Sequence, residues 1–201
     1  MRKNAFSALI SEVIFTVLLI NGSPNKSGTT KEVLKIIGAR LGTHGIECDM
    51  LDAPCGIFCT GCRGCKDGGG CVKYAALRDI SNAFKNSDGI IIVSPVYFAS
   101  PPGSLIGFLD ALFMSSKFDK RRKVGASFTV SRRAGATGSY DIINKYFGIS
   151  GMPIASSNYW NLLRAKTPEE VEFDIEGVRC AETLADNFAY LISAIKKSSS
   201  A

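Results

Sequence analysis

Short apolar runs alternate with amphipathic stretches along most of this 201-residue chain. "IFTVLLI" (14–20), "IECDML" (46–51), "GIIIVSP" (89–95), "VGASFTVS" (124–131) and "MPIASSN" (152–158) carry β-branched residues and are bounded by turn formers. Runs of this length predict strands buried mostly on both faces, as in a parallel sheet. Helical periodicity fills intervals between them: Val33, Leu34, Ile37 and Leu41 share a stripe in 30–41, as do Leu105, Phe108, Leu109 and Leu112 in 103–114. The last stretch, 176–196, sets Ala181, Leu184, Phe188, Leu191, Ile192 and Ile195 on one face. Strand and helix in repeated alternation predict an α/β sandwich around a parallel sheet.

The length suits one domain with a full hydrophobic core, expected over 13–197, after a variable leader (1–12) and before a tail (198–201). The N-terminus imitates an export signal, with basic residues ahead of an apolar run. Glu12 interrupts it, no small-residue cleavage site follows, and the run is too short to span a bilayer. A cytoplasmic protein without a membrane partner is expected. The glycosylation triplets at Asn21 and Asn25 then read as chance. A charge of +6 raises the question of nucleic acid, but only "KFDKRRK" (117–123) forms a basic run. No nucleic-acid-binding motif accompanies it, so a solvated edge suited to anionic ligands is the simpler reading.

In such sheets ligands bind beyond the carboxyl ends of the strands, where the topology reverses. Three loops leave predicted strand ends there. "NGSPNKSGTT" (21–30) combines glycines and hydroxyls with a helix start near Thr29, whose free amides and dipole suit a phosphate. It lacks both the Walker GK[ST] element and the dinucleotide GxGxxG pattern. "SPVYFASPPGSL" (94–105) puts Tyr97 and Phe98 on the sheet rim, where they can line a flat aromatic ligand or pack as core. "SRRAGATGS" (131–139) offers arginines, glycines and hydroxyls to a ligand edge that turns negative on reduction.

A fourth loop, after the second strand, carries "CTGCRGCKDGGGC" (59–71) with Cys59, Cys62, Cys65 and Cys71. Four thiolates on a short glycine-rich loop suit an iron–sulfur cluster. Zinc, disulfides, or a loop holding nothing are the other readings. A cytoplasmic redox poise opposes disulfides, and the paired-knuckle spacing of zinc ribbons is missing. Cys55 is an extra thiol that could substitute as a ligand, Cys48 and Cys180 read as buried spectators, and His44 sits in a helix-ending turn as a surface residue.

Together "NGSPNKSGTT", "CTGCRGCKDGGGC", "SPVYFASPPGSL" and "GISGMPIASSNYWN" resemble the NAD(P)H-dependent FMN reductase superfamily of flavodoxin-like proteins, and within it the iron-sulfur flavoproteins. The resemblance covers about residues 14–195 and implies a five-stranded sheet of order 2-1-3-4-5 binding FMN non-covalently, in a homodimer or homotetramer. It implies that Ser23, Asn25, Ser27, Gly28, Thr29 and Thr30 hold the FMN phosphate. Pro95, Val96, Tyr97 and Phe98 would flank the isoalloxazine and ribityl chain, and Arg132, Arg133, Ala134, Gly135 and Ala136 would face the pyrimidine edge. Cys59, Cys62, Cys65 and Cys71 would be the ligands of a [4Fe-4S] centre. Where many members have Arg, this chain has Asn25, with Lys26 beside it to supply charge. The implied activity is NAD(P)H-dependent reduction of a quinone, flavin or related small acceptor, or electron transfer between the cluster and FMN. The alternatives are a non-enzymatic carrier fed by ferredoxin and a zinc-stabilised binding module without flavin.

Overall fold

The computed structural model describes residues 15–199; the expected leader lies outside them. Strands β1 (Phe15–Asn21), β2 (Ile46–Asp52), β3 (Gly89–Pro95), β4 (Val124–Ser131) and β5 (Leu162–Arg164) form one parallel sheet of order β2-β1-β3-β4-β5. The helices are α1 (Thr29–Thr43), α2 (Ala76–Asn86), α3 (Gly103–Ser115), α4 (Ala136–Ile149) and α5 (Ile175–Ser199), with a 3-10 turn at Pro168–Phe173. The chain crosses from β2 over β1 to β3, so the topological switch point lies between β1 and β3.

Each face of the sheet buries its own core. Val17, Leu19, Ile91, Val93, Phe128 and Val130 pack with Val33, Leu34 and Ile37 of α1 and Leu184 and Phe188 of α5. Leu18, Ile20, Ile90 and Ile92 point the other way, onto Leu77 and Phe84 of α2, Leu105, Phe108 and Leu109 of α3, and Ile143 and Phe147 of α4. The continuous apolar runs of β1 and β3 thus supply alternate residues to two cores. Each fully buried large apolar side chain contributes about 1.5–3 kcal/mol. Among the described residues no helix is long and apolar enough to cross a membrane.

The expected boundaries of β1 to β4, α1, α3 and α5 agree with the structure to within a few residues. The fifth strand does not. Residues 152–158 make a single bridge, Ile154 to Gly125, and the strand proper is Leu162–Arg164. Pro153 brings no amide to the ladder, and the chain turns away after Ala155. Buried Asn161 spans the interruption: Nδ2 donates to Ser127 O (3.1 Å), Oδ1 accepts from Ser157 N (2.8 Å), and its carbonyl accepts from Thr129 N (2.9 Å). A side chain here performs the pairing that the backbone of an edge strand would otherwise perform.

Candidate functional site

The carboxyl ends of β1, β3 and β4 project three loops on one edge of the sheet. Gly22 N donates to Val93 O (2.7 Å), tying the first loop to β3; a Cβ there would lie 2.9 Å from that oxygen, so only glycine fits. The loop then folds on its own side chains. Asn21 Oδ1 accepts from Ser23 N (3.2 Å), Ser23 Oγ from Asn25 N (3.1 Å), and Asn25 Oδ1 from Ser27 N (3.1 Å). Helix α1 follows with Gly28 as an N-cap that makes no side-chain cap bond. The amides of Gly28, Thr29 and Thr30 make no hydrogen bond within the described residues. The positive helix end and the exposed hydroxyl of Ser27 therefore face outward together. Lys31 and Asn21 both bind Asp52 Oδ1, at 3.1 and 2.9 Å, joining this helix start to the end of β2. Burial alone pushes the Asp52 carboxyl up, but those two hydrogen bonds outweigh it and hold it below the ordinary carboxylate range.

Beyond β3 the chain makes a tight turn. Tyr97 and Ser100 exchange backbone hydrogen bonds of 2.7 and 3.0 Å, with Phe98 and Ala99 both left-handed at φ 52° and 58°. Non-glycine residues in that region cost about 1–2 kcal/mol each, and here they lift Tyr97 and Phe98 into solvent. The turn rests on the start of α4. A Cβ at Gly135 would lie 2.9 Å from Ala99 Cα, and one at Gly138 would lie 2.6 Å from Ala99 O. Gly135 is left-handed as well, at φ 84°. Ser131 at the end of β4 and Ser139 in α4 each bury a hydroxyl without a partner among the described residues.

The third loop divides its residues between two places. Gly135 approaches Val96 and the aromatic turn, whereas Arg132, Arg133 and Ala134 open onto a cleft of about 590 Å³ with Arg164, Glu170, Phe173 and Asp174. Arg164 was not among the expected site residues. Register pairs it with Ser131, which brings it to this edge, and placing the fifth strand at 152–158 hides that neighbourhood. Asp174 accepts from the amides of Arg164 (2.7 Å) and Gly177 (3.1 Å), and Glu170 accepts from that of Lys166 (2.8 Å).

The cysteine loop leaves β2 as expected, with Ala53 N donating to Asn21 O (2.9 Å), and then lies across α3. Gly107 allows this, since a Cβ there would meet Ile57 O at 2.7 Å. Cys59, Cys62, Cys65 and Cys71 all line one cavity of about 50 Å³, closed by Phe58, Val72, Tyr74, Ala111 and Met114. Cys65 Sγ contacts Met114 O at 3.5 Å. Left-handed Gly61, Arg63, Gly68 and Gly70 supply the curvature. A hydrogen bond with the Gly64 backbone, and further ones including Thr60, hold the Cys62 thiol below its usual range. The donors are soft and of one kind and their residues line one cavity, the chemistry that an iron–sulfur centre takes. Among the described residues no three His, Cys, Asp or Glu side chains are gathered as a ready ion site. Ala111 lies two turns along α3 from Gly103, so the cavity is roughly 12 Å along the helix from the sheet edge. The loop begins at the edge of the three ligand loops, but its thiols end away from it.

Other expectations are mixed. Cys180 is buried, while Cys48 is half-buried with its thiol pushed to about 11, chiefly by burial. His44 caps the end of α1, and its Nε2 lies 2.7 Å from Asp186 Oδ1. Tyr159 and Trp160 stack edge to face and are exposed.

Residues 15–167 match the family model described as NADPH-dependent FMN reductase. The chain belongs to this family. Its curated relatives include an iron-sulfur flavoprotein of Methanocaldococcus jannaschii, 29% identical over 191 residues, covering 90% of this chain and 99% of the relative. Another, from Methanosarcina thermophila, is 29% identical over 191 residues, covering 89% and 95%. Among solved structures, RosB with bound 8-demethyl-8-formylriboflavin-5'-phosphate superposes with a TM-score of 0.72 at 11% identity, over 92% of this chain and 81% of that one. A WrbA-like protein from Agrobacterium tumefaciens gives a TM-score of 0.61 at 15% identity, over 92% and 98%. These likenesses show a flavodoxin-like fold; family membership makes the chain an FMN-binding redox protein with oxidoreductase character.

Proposed function

We propose that this protein is an iron-sulfur flavoprotein, with FMN on the three-loop edge and a [4Fe-4S] centre on Cys59, Cys62, Cys65 and Cys71. The observation that carries the reading is the one cavity lined by all four cysteines, on a loop that starts beside the phosphate-type loop. FMN, when bound, supplies hydride and single-electron chemistry, and an iron–sulfur centre supplies single-electron exchange.

The chain's own residues bind, orient and exclude water. Ser27, Thr29, Thr30 and the free amides at the start of α1 hold the phosphate, with Ser23 and Asn25 keeping the loop in shape. Pro95, Val96, Tyr97 and Phe98 cover the ring from the strained turn, and Gly135 and Ala136 approach its polar edge. Arg132, Arg133 and Arg164, beside Ala134, present positive charge to an anionic donor or acceptor entering from the neighbouring cleft, where Glu170 and Asp174 offset part of it. NAD(P)H is the two-electron donor of the enzymatic version, and a ferredoxin-type protein is the donor of the carrier version. A reducing cytoplasmic setting keeps the thiols available. Assembly as a homodimer or homotetramer would cover exposed Phe98, Tyr159 and Trp160.

A second reading, a plain FMN oxidoreductase without a cluster, is favoured by the absence of a gathered ligand set among the described residues. Anaerobic purification with an absorption spectrum and FMN, iron, zinc and sulfide analysis separates the two. The proposal expects bound FMN, about four irons and four sulfides per chain, and loss of iron but not flavin in Cys62→Ser. FMN without iron leaves the second reading; zinc without flavin overturns both. Steady-state NAD(P)H oxidation with a quinone then separates enzyme from carrier.

A further inference from the structure

The basic segment 117–123 has no part in the site described above. Lys117 lines a cleft of about 360 Å³ with Gly68, Gly69, Gly70, Arg78, Ser81, Asn82, Lys85, Ser115 and Phe118. That volume lies at the small end of the range for small-molecule sites. Cations come from two separate elements. Arg78 and Lys85 stand on one face of α2, seven residues apart with Ser81 and Asn82 between them, and Lys117 enters from the connection after α3.

No carboxylate lines this cleft. The acidic residues nearest in sequence are Asp67, Asp79 and Asp119, and Asp119 is bound by Arg121 at 2.7 Å. The described residues form no ion pair to Arg78, Lys85 or Lys117. Two further lysines lie against Phe118 without lining the cleft, and their ammonium groups donate to backbone carbonyls, Lys120 to Ser116 O and Phe118 O and Lys123 to Lys85 O and Ser87 O. Lys120 and Lys123 place their ammonium groups 4.5 and 5.6 Å from the centre of the Phe118 ring. Burial first, and then the charge of Lys117, hold the Lys120 ammonium below the ordinary lysine range.

The opposite wall is backbone. Gly68 and Gly70 are left-handed at φ 80° and 83°, and the amides of Gly69 and Gly70 make no hydrogen bond within the described residues. The stem of Arg78 packs over this turn; a Cβ at Gly70 would lie 3.0 Å from its Cγ. Free amides, a guanidinium and two ammonium groups around a concave space are what a phosphate group requires.

We propose that this cleft binds a small phosphate-bearing ligand, held by Arg78, Lys85, Lys117 and the Gly68–Gly70 turn. The site shares no lining residue with the three loops at the sheet edge, so it stands whether or not FMN occupies them. It shares Ser115 with the cysteine cavity, and Cys71 directly follows Gly70. Occupancy therefore stiffens the segment that presents Cys71.

The test uses the protein as purified, titrated at constant ionic strength with inorganic phosphate, phenyl phosphate and chloride. Binding is read by calorimetry, and hydrogen exchange is followed at residues 66–72. The expected result is saturable binding of a phosphate probe, slower exchange in that segment, and at least a roughly tenfold loss of affinity in Arg78→Gln/Lys85→Gln, the loss of about 1.4 kcal/mol that removing charge-assisted contacts brings. Inorganic phosphate binding as tightly as phenyl phosphate identifies the free ion as the ligand; tighter phenyl phosphate identifies a phosphomonoester. Both substituted positions are exposed, and thermal unfolding checks that the variant folds; Lys117→Gln, tested alone, covers the case where it does not. Equal response to chloride, binding untouched by Arg78→Gln/Lys85→Gln and Lys117→Gln, or binding of polyglutamate that phosphate does not displace would overturn the proposal.

Discussion

Gly138 and Gly148 lie in the same helix, α4, and differ in what a methyl group would meet. At Gly148 a Cβ finds nothing within 4 Å, so Gly148→Ala should gain the helix propensity difference of about 0.8–1 kcal/mol. At Gly138 the same gain is offered, but the Cβ would sit 2.6 Å from Ala99 O, a backbone atom of the turn carrying Tyr97 and Phe98. Overpacking of this kind costs about 1–3 kcal/mol. The turn already holds two left-handed non-glycine residues, so it has little freedom to yield without releasing them. The clash should win, with a net loss of about 1 kcal/mol in Gly138→Ala, or a melting temperature about 2–4 °C lower for a chain of this size. Because the displaced element carries the proposed ring cover, FMN affinity should fall about tenfold, the equivalent of 1.4 kcal/mol. Fluorescence titration of the apoprotein with FMN, beside thermal unfolding of both variants, measures this. If Gly138→Ala melts higher, as Gly148→Ala does, and binds FMN unchanged, the turn is not held by α4 and the reasoning fails.

Asn161→Ala should cost about 2 kcal/mol or more in denaturant unfolding, because Ser157 N loses an acceptor and buried Ser127 O a donor; a loss within error would show that water replaces the side chain. Asp186 is held at about 2, below its ordinary 3.8, chiefly by its hydrogen bond with Arg40, then by His44, against the opposing effect of burial. A depressed carboxyl adds stability above its unfolded pKa that is lost as pH falls through the folded one, so Asp186→Asn should flatten acid unfolding between about pH 4 and pH 2. An unchanged slope there would remove Asp186 as the cause. In metal-free, reduced protein at pH 8, timed alkylation with mass spectrometry should label Cys62 early and Cys48 late, together with buried Cys180, since burial pushes the Cys48 thiol to about 11. Early labelling of Cys48 would contradict its half-buried place on β2.

Much of this architecture is legible in the amino-acid sequence, because a doubly covered parallel sheet writes itself as continuous apolar runs. Residues 14–20, 89–95 and 124–131 carry that signal, and helix stripes such as Val33, Leu34, Ile37 and Leu41 state which face is buried. The hydroxyl- and glycine-rich loop after β1 was equally legible, since its chemistry is local: Asn21, Ser23 and Asn25 bind amides two residues away. What depended on long-range placement was hidden. The composition of 152–158 predicts the fifth strand there, ahead of its true place, because its pairing is lost to Pro153 and restored by Asn161, a polar residue with no apolar signature. That displacement concealed Arg164, which joins Arg132 and Arg133 only through register with Ser131. Spacing alone likewise gathered Cys59, Cys62, Cys65 and Cys71 on one loop, but packing across Gly107 decided that they lie over α3 and away from the sheet edge. Local hydrogen bonding and periodicity act over a few residues and so are written in the chain; contacts between distant segments depend on which surfaces remain to be covered once the sheet has formed.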